Sequence, residues 1–379
     1  MPPAAPDPDF AYRHALPQGP AHRRGAGVNP GNRFETVSLS ILGEELDRQM
    51  VEREQEDGQP VRVERRVYAD RTQTIINRVS RASDMPFDWT LNPYRGCEHG
   101  CVYCYARPYH EYLGFNCGLD FETKLVAKPD AAQLLEAELA APSWKAEPIV
   151  MSAITDIYQP IEHEMRLARQ CLEVLADCRQ PVSTMTKSAM VLRDCDLWAK
   201  LAAFGAGRVT ITLVTLDNDL ARALEPRASA PSARLRAIRE LTAAGVPVTV
   251  NIAPVIPGLT DTEVPAILEA SAEAGAVGVT WILLRLPWQV KEVFLDWLAR
   301  SVHPSRAAKV EAHIRATQGG RLYDSSVRSL RGRGTGVLAA QIRQTFKVFS
   351  RRYGISEKFT PLSGASFRPP SSGQMRLFE

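Results

Sequence analysis

An open α/β barrel of about six βα units is the fold class this sequence predicts, on three observations. Short apolar, β-branched stretches recur between residues 89 and 284. Segments with apolar residues at steps of three or four separate them. The units number about six, short of the eight that close a barrel, so the expectation is a partial (βα)6 TIM-like barrel with parallel strands and right-handed crossovers.

The elements follow in order. Trp89–Asn92 reads as the first strand and Asp130–Ala140 as a helix. Pro148–Ala153, with Ile149, Val150 and Met151, is the second strand. Glu162–Cys178 is an amphipathic helix, with Met165, Ala168, Leu172 and Leu175 on one side. Pro181–Met185 is the third strand and Val191–Phe204 the next helix. Arg208–Leu216 is a β-branched fourth strand. The helix over Ser232–Ala244 meets a stop at Gly245 and Pro247. Val246–Ala253, a helix over Glu263–Ala274, and Val277–Leu284 complete the rhythm. After Pro287 the pattern turns helical, over Lys291–Ser301, Pro304–Thr317 and Val337–Tyr353.

This divides the chain into an N-terminal extension (1–60), a core (61–290), a helical region (291–360) and a flexible tail (361–379). Residues 1–36, rich in Pro, Gly, Ala and Arg, are expected to be disordered or draped over the body. A short helix is expected within 37–60, and an extended arm or strand over Val61–Val79. Net charge is only +3, but from Arg321 onward 11 Lys and Arg stand against 3 Asp and Glu. A basic region on a mildly acidic body suits nucleic acid; a solvated basic helix is the plainer reading.

At 45% apolar and 23% charged the composition is that of a globular protein. No apolar run approaches the roughly 18 residues of a membrane span. The start, Met1-Pro2-Pro3-Ala4-Ala5-Pro6-Asp7, lacks a secretory pattern. Seven unevenly spaced cysteines argue against a disulfide framework. The expectation is a cytoplasmic protein with no membrane partner.

The chemistry concentrates between Asn92 and Arg107. Cys97, Cys101 and Cys104, spaced CxxxCxxC, place three of the seven cysteines within eight residues. Reduced thiolates are soft ligands for zinc or iron–sulfur clusters. A structural zinc site takes four ligands, so three leave a coordination position open. His99 would complete a cramped Cys3His zinc site. The cysteine loop should lie on the carboxyl face of the barrel, where later strand ends converge. Those ends carry Thr155 and Asp156, Lys187, Thr212 and Thr215, Glu225, and Asn251 through Ala253. Hydroxyls, a lysine and carboxylates together suit a polar cofactor bearing a carboxylate, an amine and a ribose.

CxxxCxxC with Tyr103 before the last cysteine resembles the radical SAM superfamily. The stretches Asn92-Pro-Tyr-Arg-Gly-Cys, Thr155-Asp156-Ile-Tyr-Gln-Pro and Asn251-Ile-Ala-Pro-Val-Ile-Pro-Gly resemble its subgroup related to spore photoproduct lyase, often described as DNA repair photolyase-like. The similarity spans about residues 75–290. It implies a partial barrel of the radical SAM type and a [4Fe–4S] cluster on Cys97, Cys101 and Cys104. S-adenosyl-L-methionine would take the open iron and yield a 5′-deoxyadenosyl radical on one-electron reduction. By the same resemblance Tyr103 and Tyr105 line the adenine side, Thr155 and Asp156 contact the methionine part, and Lys187 pairs with the SAM carboxylate. Thr212 or Thr215 faces the ribose, and Ala253 meets the cofactor near the end of its strand. Arg95 and Arg107 are charges that tune the cluster.

One departure stands out. The subgroup's lyase uses a cysteine hydrogen donor just before Thr155-Asp156, where this chain reads Ser152-Ala153-Ile154. Of the remaining thiols, Cys117, Cys171, Cys178 and Cys195 read as core or loop residues. The leading expectation is an enzyme acting on nucleic acid, with lyase-like repair of a DNA lesion, fed by an external flavodoxin- or ferredoxin-like one-electron donor; the resemblance does not itself carry the substrate. Gln374-Met375-Arg376-Leu377-Phe378 resembles the motif by which bacterial DNA enzymes dock on the sliding clamp. The other readings are a radical SAM enzyme with a protein, peptide or small-molecule substrate, and an iron–sulfur or zinc module without turnover.

Overall fold

The structure is a computed structural model and describes residues 24–34, 65–80, 85–323, 332–359 and 361–370. The helix expected within 37–60 and the Gln374–Phe378 motif lie outside the described residues. The described elements run β1 (Arg66–Ala69), β2 (Ile76–Arg78), β3 (Trp89–Leu91), β4 (Tyr94–Arg95), α1 (Leu119–Thr123), β5 (Lys124–Ala127), α2 (Ala131–Leu139) and β6 (Ile149–Met151). Next come α3 (Glu162–Met165), α4 (Leu167–Asp177), β7 (Val182–Thr186), α5 (Cys195–Ala202), β8 (Gly207–Thr212), α6 (Asn218–Leu224) and α7 (Pro231–Ala243). The last are β9 (Val248–Val255), α8 (Val264–Glu273), β10 (Gly278–Leu283), α9 (Val290–Ser301), α10 (Pro304–Thr317) and α11 (Gly336–Arg352).

The main sheet has the order β10-β9-β8-β7-β6-β3-β2. Its first six members are parallel neighbours and β2 adds an antiparallel edge. This is the expected partial barrel of six βα units. A smaller sheet, β1-β5-β4, was not foreseen. Its strands are short, and their partners lie far apart in sequence.

The in-phase parallel register divides residues cleanly between the two faces. Val209, Ile211, Val248, Val250, Ile252 and Val279 face the helices and are buried with them in the main core. Thr212 pairs in register with Asn251, and Asn251 with Thr280. These three therefore share the concave face. There the Thr280 hydroxyl donates to Asn251 Oδ1 at 2.7 Å. A closed barrel fills its interior with branched apolar side chains; this one lines it with hydroxyls and an amide.

Three local expectations are corrected. The helix over Glu162–Cys178 is two helices, broken at Arg166, whose φ of 53° is left-handed. The cause is the Glu162 carboxylate, which accepts from Ala168 N at 3.0 Å and Arg169 N at 3.2 Å and so caps α4. The strand expected to reach Leu216 ends at Thr212. The tail expected to be flexible from 361 is docked in its first ten residues. Ser363 N donates to Gly205 O, Arg368 N donates to Cys178 O, and Phe367 packs on the core.

A stacked aromatic pair, with Ala339 and Ile342 beside it in the core, joins α11 to the barrel. The Trp281 ring of β10 lies 4.5 Å from that of Phe346, stacked and nearly parallel, which docks α11 on the edge of the sheet. Phe346 is fully buried. Phe346→Ala should therefore lower stability by about 3–5 kcal/mol. The check is the denaturant midpoint; a loss below about 1 kcal/mol would mean that the stack does not anchor α11.

Candidate functional site

The cysteine loop leaves β3 through the short strand β4 and is shaped by two glycines in left-handed conformations, Gly96 (φ 78°) and Gly100 (φ 68°). At Gly100 a Cβ would stand 2.8 Å from the Glu122 carboxylate, so the loop passes where only glycine fits. Cys97 N donates to Phe121 O, and Val102 N donates to Leu224 O. Cys97 and Cys101 are buried, Cys104 is half-buried, and all three are free thiols.

Arg107 fastens the loop from behind. Its Nε donates to Cys101 O at 3.0 Å and its Nη1 to Cys117 O and Gly118 O. Its Nη2 meets Glu122 Oε1 at 2.6 Å, with both side chains fully buried. Glu122 also accepts from Gly25 N at 3.0 Å and Ala26 N at 2.9 Å. Residues 24–34, expected to be weakly ordered or draped, thus form a strap packed on the loop. The close approach needs glycine again, since a Cβ on Gly25 would meet Gly100 O at 1.8 Å.

The loop's other side is braced by the residues after β6. The Thr155 hydroxyl donates to Gly96 O at 2.6 Å. Gln159 takes Glu98 N on its Oε1 and donates from Nε2 to Gly96 O and to Thr155 Oγ1. Asp156 accepts from Thr186 Oγ1, Lys187 N and Tyr158 N. His99 Nδ1 lies 3.3 Å from its Oδ2. Burial would raise this carboxyl, but the charge and hydrogen bond of His99 and the bonds from Lys187 and Thr186 outweigh it and hold it at about 2. Thr155 and Asp156 therefore spend their polar atoms on holding the loop.

A second buried network lies under the last cysteine. The Tyr103 hydroxyl donates to Glu225, and Arg234 pairs with the same carboxylate. Arg234 also donates to Ser229 O and Thr212 O. The Lys187 ammonium sits 5.9 Å from the Tyr103 ring centroid. Burial would lower its pKa, but the surrounding Cys101, Glu225, Cys104 and Asp156 raise it above the ordinary lysine value. Burial pushes the Cys101 thiol up to about 12, against the pull of Lys187. Burial also raises the Cys97 thiol well above its ordinary range.

The structure thus brings Tyr103, Lys187 and Thr212 together beside Cys101 and Cys104. Thr212 Oγ1 is buried with no hydrogen-bond partner among the described residues. The Thr215 hydroxyl is taken by Glu263, at 2.7 Å and 2.9 Å. Tyr105 is partly exposed and donates its hydroxyl to Ala153 O at 2.6 Å. Ala253 lies half-buried on β9, one step beyond the inward Asn251 on the same face. Arg95 is on the outer side, 3.5 Å from Asp70. Sequence reasoning missed the strap, Arg234 and the role of Glu122.

The donor set fits an iron–sulfur cluster. Cys97, Cys101 and Cys104 are free, soft thiols presented by one loop, and a cluster spreads its thiolates over separate irons. His99, weighed as a fourth zinc ligand, is turned to Asp156.

A model of the radical SAM superfamily matches residues 91–270. Uncharacterized proteins of Mycobacterium bovis and Mycobacterium tuberculosis are 40% identical over 238 residues, 62% of this chain and 70% of theirs. One of Methanocaldococcus jannaschii is 31% identical over 175 residues, 46% of this chain and 63% of its own. Spore photoproduct lyase complexed with dinucleoside spore photoproduct matches with a TM-score of 0.55 at 15% identity, covering 78% of this chain and 82% of that one. A double mutant of spore photoproduct lyase with bound AdoMet and the same dinucleoside gives 0.54 at 16%, covering 83% and 94%. These last two are likenesses of fold.

Removing the charge of Glu122 while keeping its shape isolates the constraint on the loop. Glu122→Gln should cost about 3–5 kcal/mol, because Arg107 is left buried and uncompensated. It should also speed limited proteolysis within residues 24–34. Unchanged cleavage there would show that the strap is held by something else.

Proposed function

The chain belongs to the radical SAM superfamily, and we propose that it acts on nucleic acid, with a lesion in DNA as its target and a lyase-like reaction. Cys97, Cys101 and Cys104 would hold the [4Fe–4S] cluster. Cluster and S-adenosyl-L-methionine together supply a 5′-deoxyadenosyl radical on one-electron reduction, the electron coming from an external flavodoxin- or ferredoxin-like carrier. The protein's own groups bind and orient. The raised Lys187 ammonium keeps a full positive charge for a carboxylate. The unpartnered Thr212 hydroxyl suits a sugar hydroxyl. Tyr103 is fixed in place by Glu225, while Tyr105 and Ala253 line the mouth. Thr155 and Asp156 position the cysteine loop.

The observation that carries the substrate class is an aromatic shelf on the carboxyl face. Phe34, Tyr109, Tyr112 and Trp288 expose between 44% and 65% of their surface. The Arg33 guanidinium lies 4.9 Å from the Phe34 ring, 5.6 Å from Tyr112 and 4.3 Å from Trp288. Trp288 is held in a left-handed conformation, φ 48°, which a bulky residue adopts only under constraint. Exposed rings backed by a guanidinium are a surface on which nucleobases stack. The solved lyase structures that bind a dinucleoside photoproduct share the fold and support the same reading. Ser152-Ala153-Ile154 offers a hydroxyl but no thiol, so either another group quenches the substrate radical or the reaction differs from the lyase's.

Anaerobic reconstitution should load about four irons and give SAM-dependent release of 5′-deoxyadenosine. Cys97→Ala, Cys101→Ala and Cys104→Ala should each abolish that release. Deuterium from labelled lesion-containing DNA should appear in the 5′-deoxyadenosine. One zinc and no SAM cleavage would refute the enzyme, and label arriving only from a peptide or small molecule would refute nucleic acid. Gln374–Phe378 fits the same reading as a sliding-clamp anchor. The full chain should be retained on immobilised clamp, and equal retention of a chain ending at residue 373 would rule the anchor out.

A further inference from the structure

The outer face of α11 carries a line of cations that nothing in the barrel uses. Ala339, Ile342, Phe346 and Ser350 form its buried side. Arg343, Lys347 and Arg351 follow one another at intervals of four on the exposed side. At the helical rise they stand about 6 Å apart, a track about 12 Å long. With Ala340, Gln344 and Glu357 they line a concavity of about 390 Å³.

Other helices of this chain neutralise such cations along their own length. Arg169 pairs with Glu173 on α4, Arg300 with Asp296 on α9, and Arg315 with Glu311 on α10. The 17 residues of α11 contain no Asp or Glu. None of Arg343, Lys347 and Arg351 makes an ion pair among the described residues. Behind them burial lowers the Arg333 guanidinium; Glu357 offsets this in part, and Arg343 adds to it by repulsion.

We propose that this cleft on α11 is a docking track for the phosphate backbone of nucleic acid, outside the barrel mouth. The inference rests on the nucleic-acid reading above and deepens it. A row of cations with one carboxylate among them matches an extended polyanion better than a single phosphate. Protein interfaces centre on buried apolar or aromatic anchors. Here the only apolar lining residue is Ala340. Backbone phosphate contacts need no such anchor, since their affinity comes from counterion release.

The test uses the full, reconstituted chain and a 5′-labelled DNA duplex in fluorescence anisotropy across a salt series. Each phosphate contact contributes about 0.9 to the slope of log affinity against log salt, so R343Q/K347Q/R351Q should lower that slope by about 2–3. Its affinity should fall at least tenfold at about 0.1 M salt, while uncoupled SAM cleavage and the thermal midpoint stay unchanged. The charge-preserving R343K/K347R/R351K should bind as the native chain does. An unchanged slope in the Gln variant, or an equal loss in the charge-preserving one, would overturn the proposal. So would displacement of the duplex by poly-glutamate as effective as by unlabelled DNA. A native chain that binds DNA through α11 but transfers no deuterium from it would leave the track standing and remove the catalytic reading.

Discussion

The buried pair of Arg107 and Glu122 is the constraint on which the cysteine loop depends. Two fully desolvated charges are costly unless their remaining donors and acceptors are met. Here the guanidinium serves three carbonyls of the loop region as well as its partner, and the carboxylate serves two backbone N–H groups of the strap. Residues 117–122 and the strap, two stretches distant from each other in sequence, are thereby fixed against the segment that presents the thiols.

The barrel supplies a polar concave wall. Thr212, Asn251 and Thr280 stand side by side in register, and the Glu225 carboxylate links Tyr103 to Arg234, which reaches Thr212 O. Charge is balanced locally: Lys187 faces Glu225, Asp156 and the thiols, and is held protonated by them. The apolar residues that would fill a closed barrel sit on the other side of the sheet, against the helices.

Most of the fold was legible because its signals are local. The β-branched runs around Val209 and Val250 and the stop at Gly245 and Pro247 are each read within a few residues. The cysteine loop was legible for the same reason, since three thiols within eight residues must share one stretch of chain. What sequence reasoning missed was non-local. The break at Arg166 follows from a carboxylate folding back to cap the next helix, and the amphipathic period runs through it unchanged. Gly25 and Glu122 lie 97 residues apart, and Tyr103 and Glu225 lie 122 apart, with no pattern joining them. Thr212 and Thr215 could not be told apart until the strand was seen to end at Thr212 and Glu263 was seen to claim the other hydroxyl.

Residues 361–370 dock against Gly205 and Cys178, which immediately precede β8 and β7. They therefore lie on the amino-end face of the barrel, opposite the cysteine loop and the aromatic shelf. Residue 370 closes this docked segment at the rear of the molecule. A tether attached there could hold the protein at a moving partner while its front stays free to turn toward whatever passes, the two engagements sharing no surface.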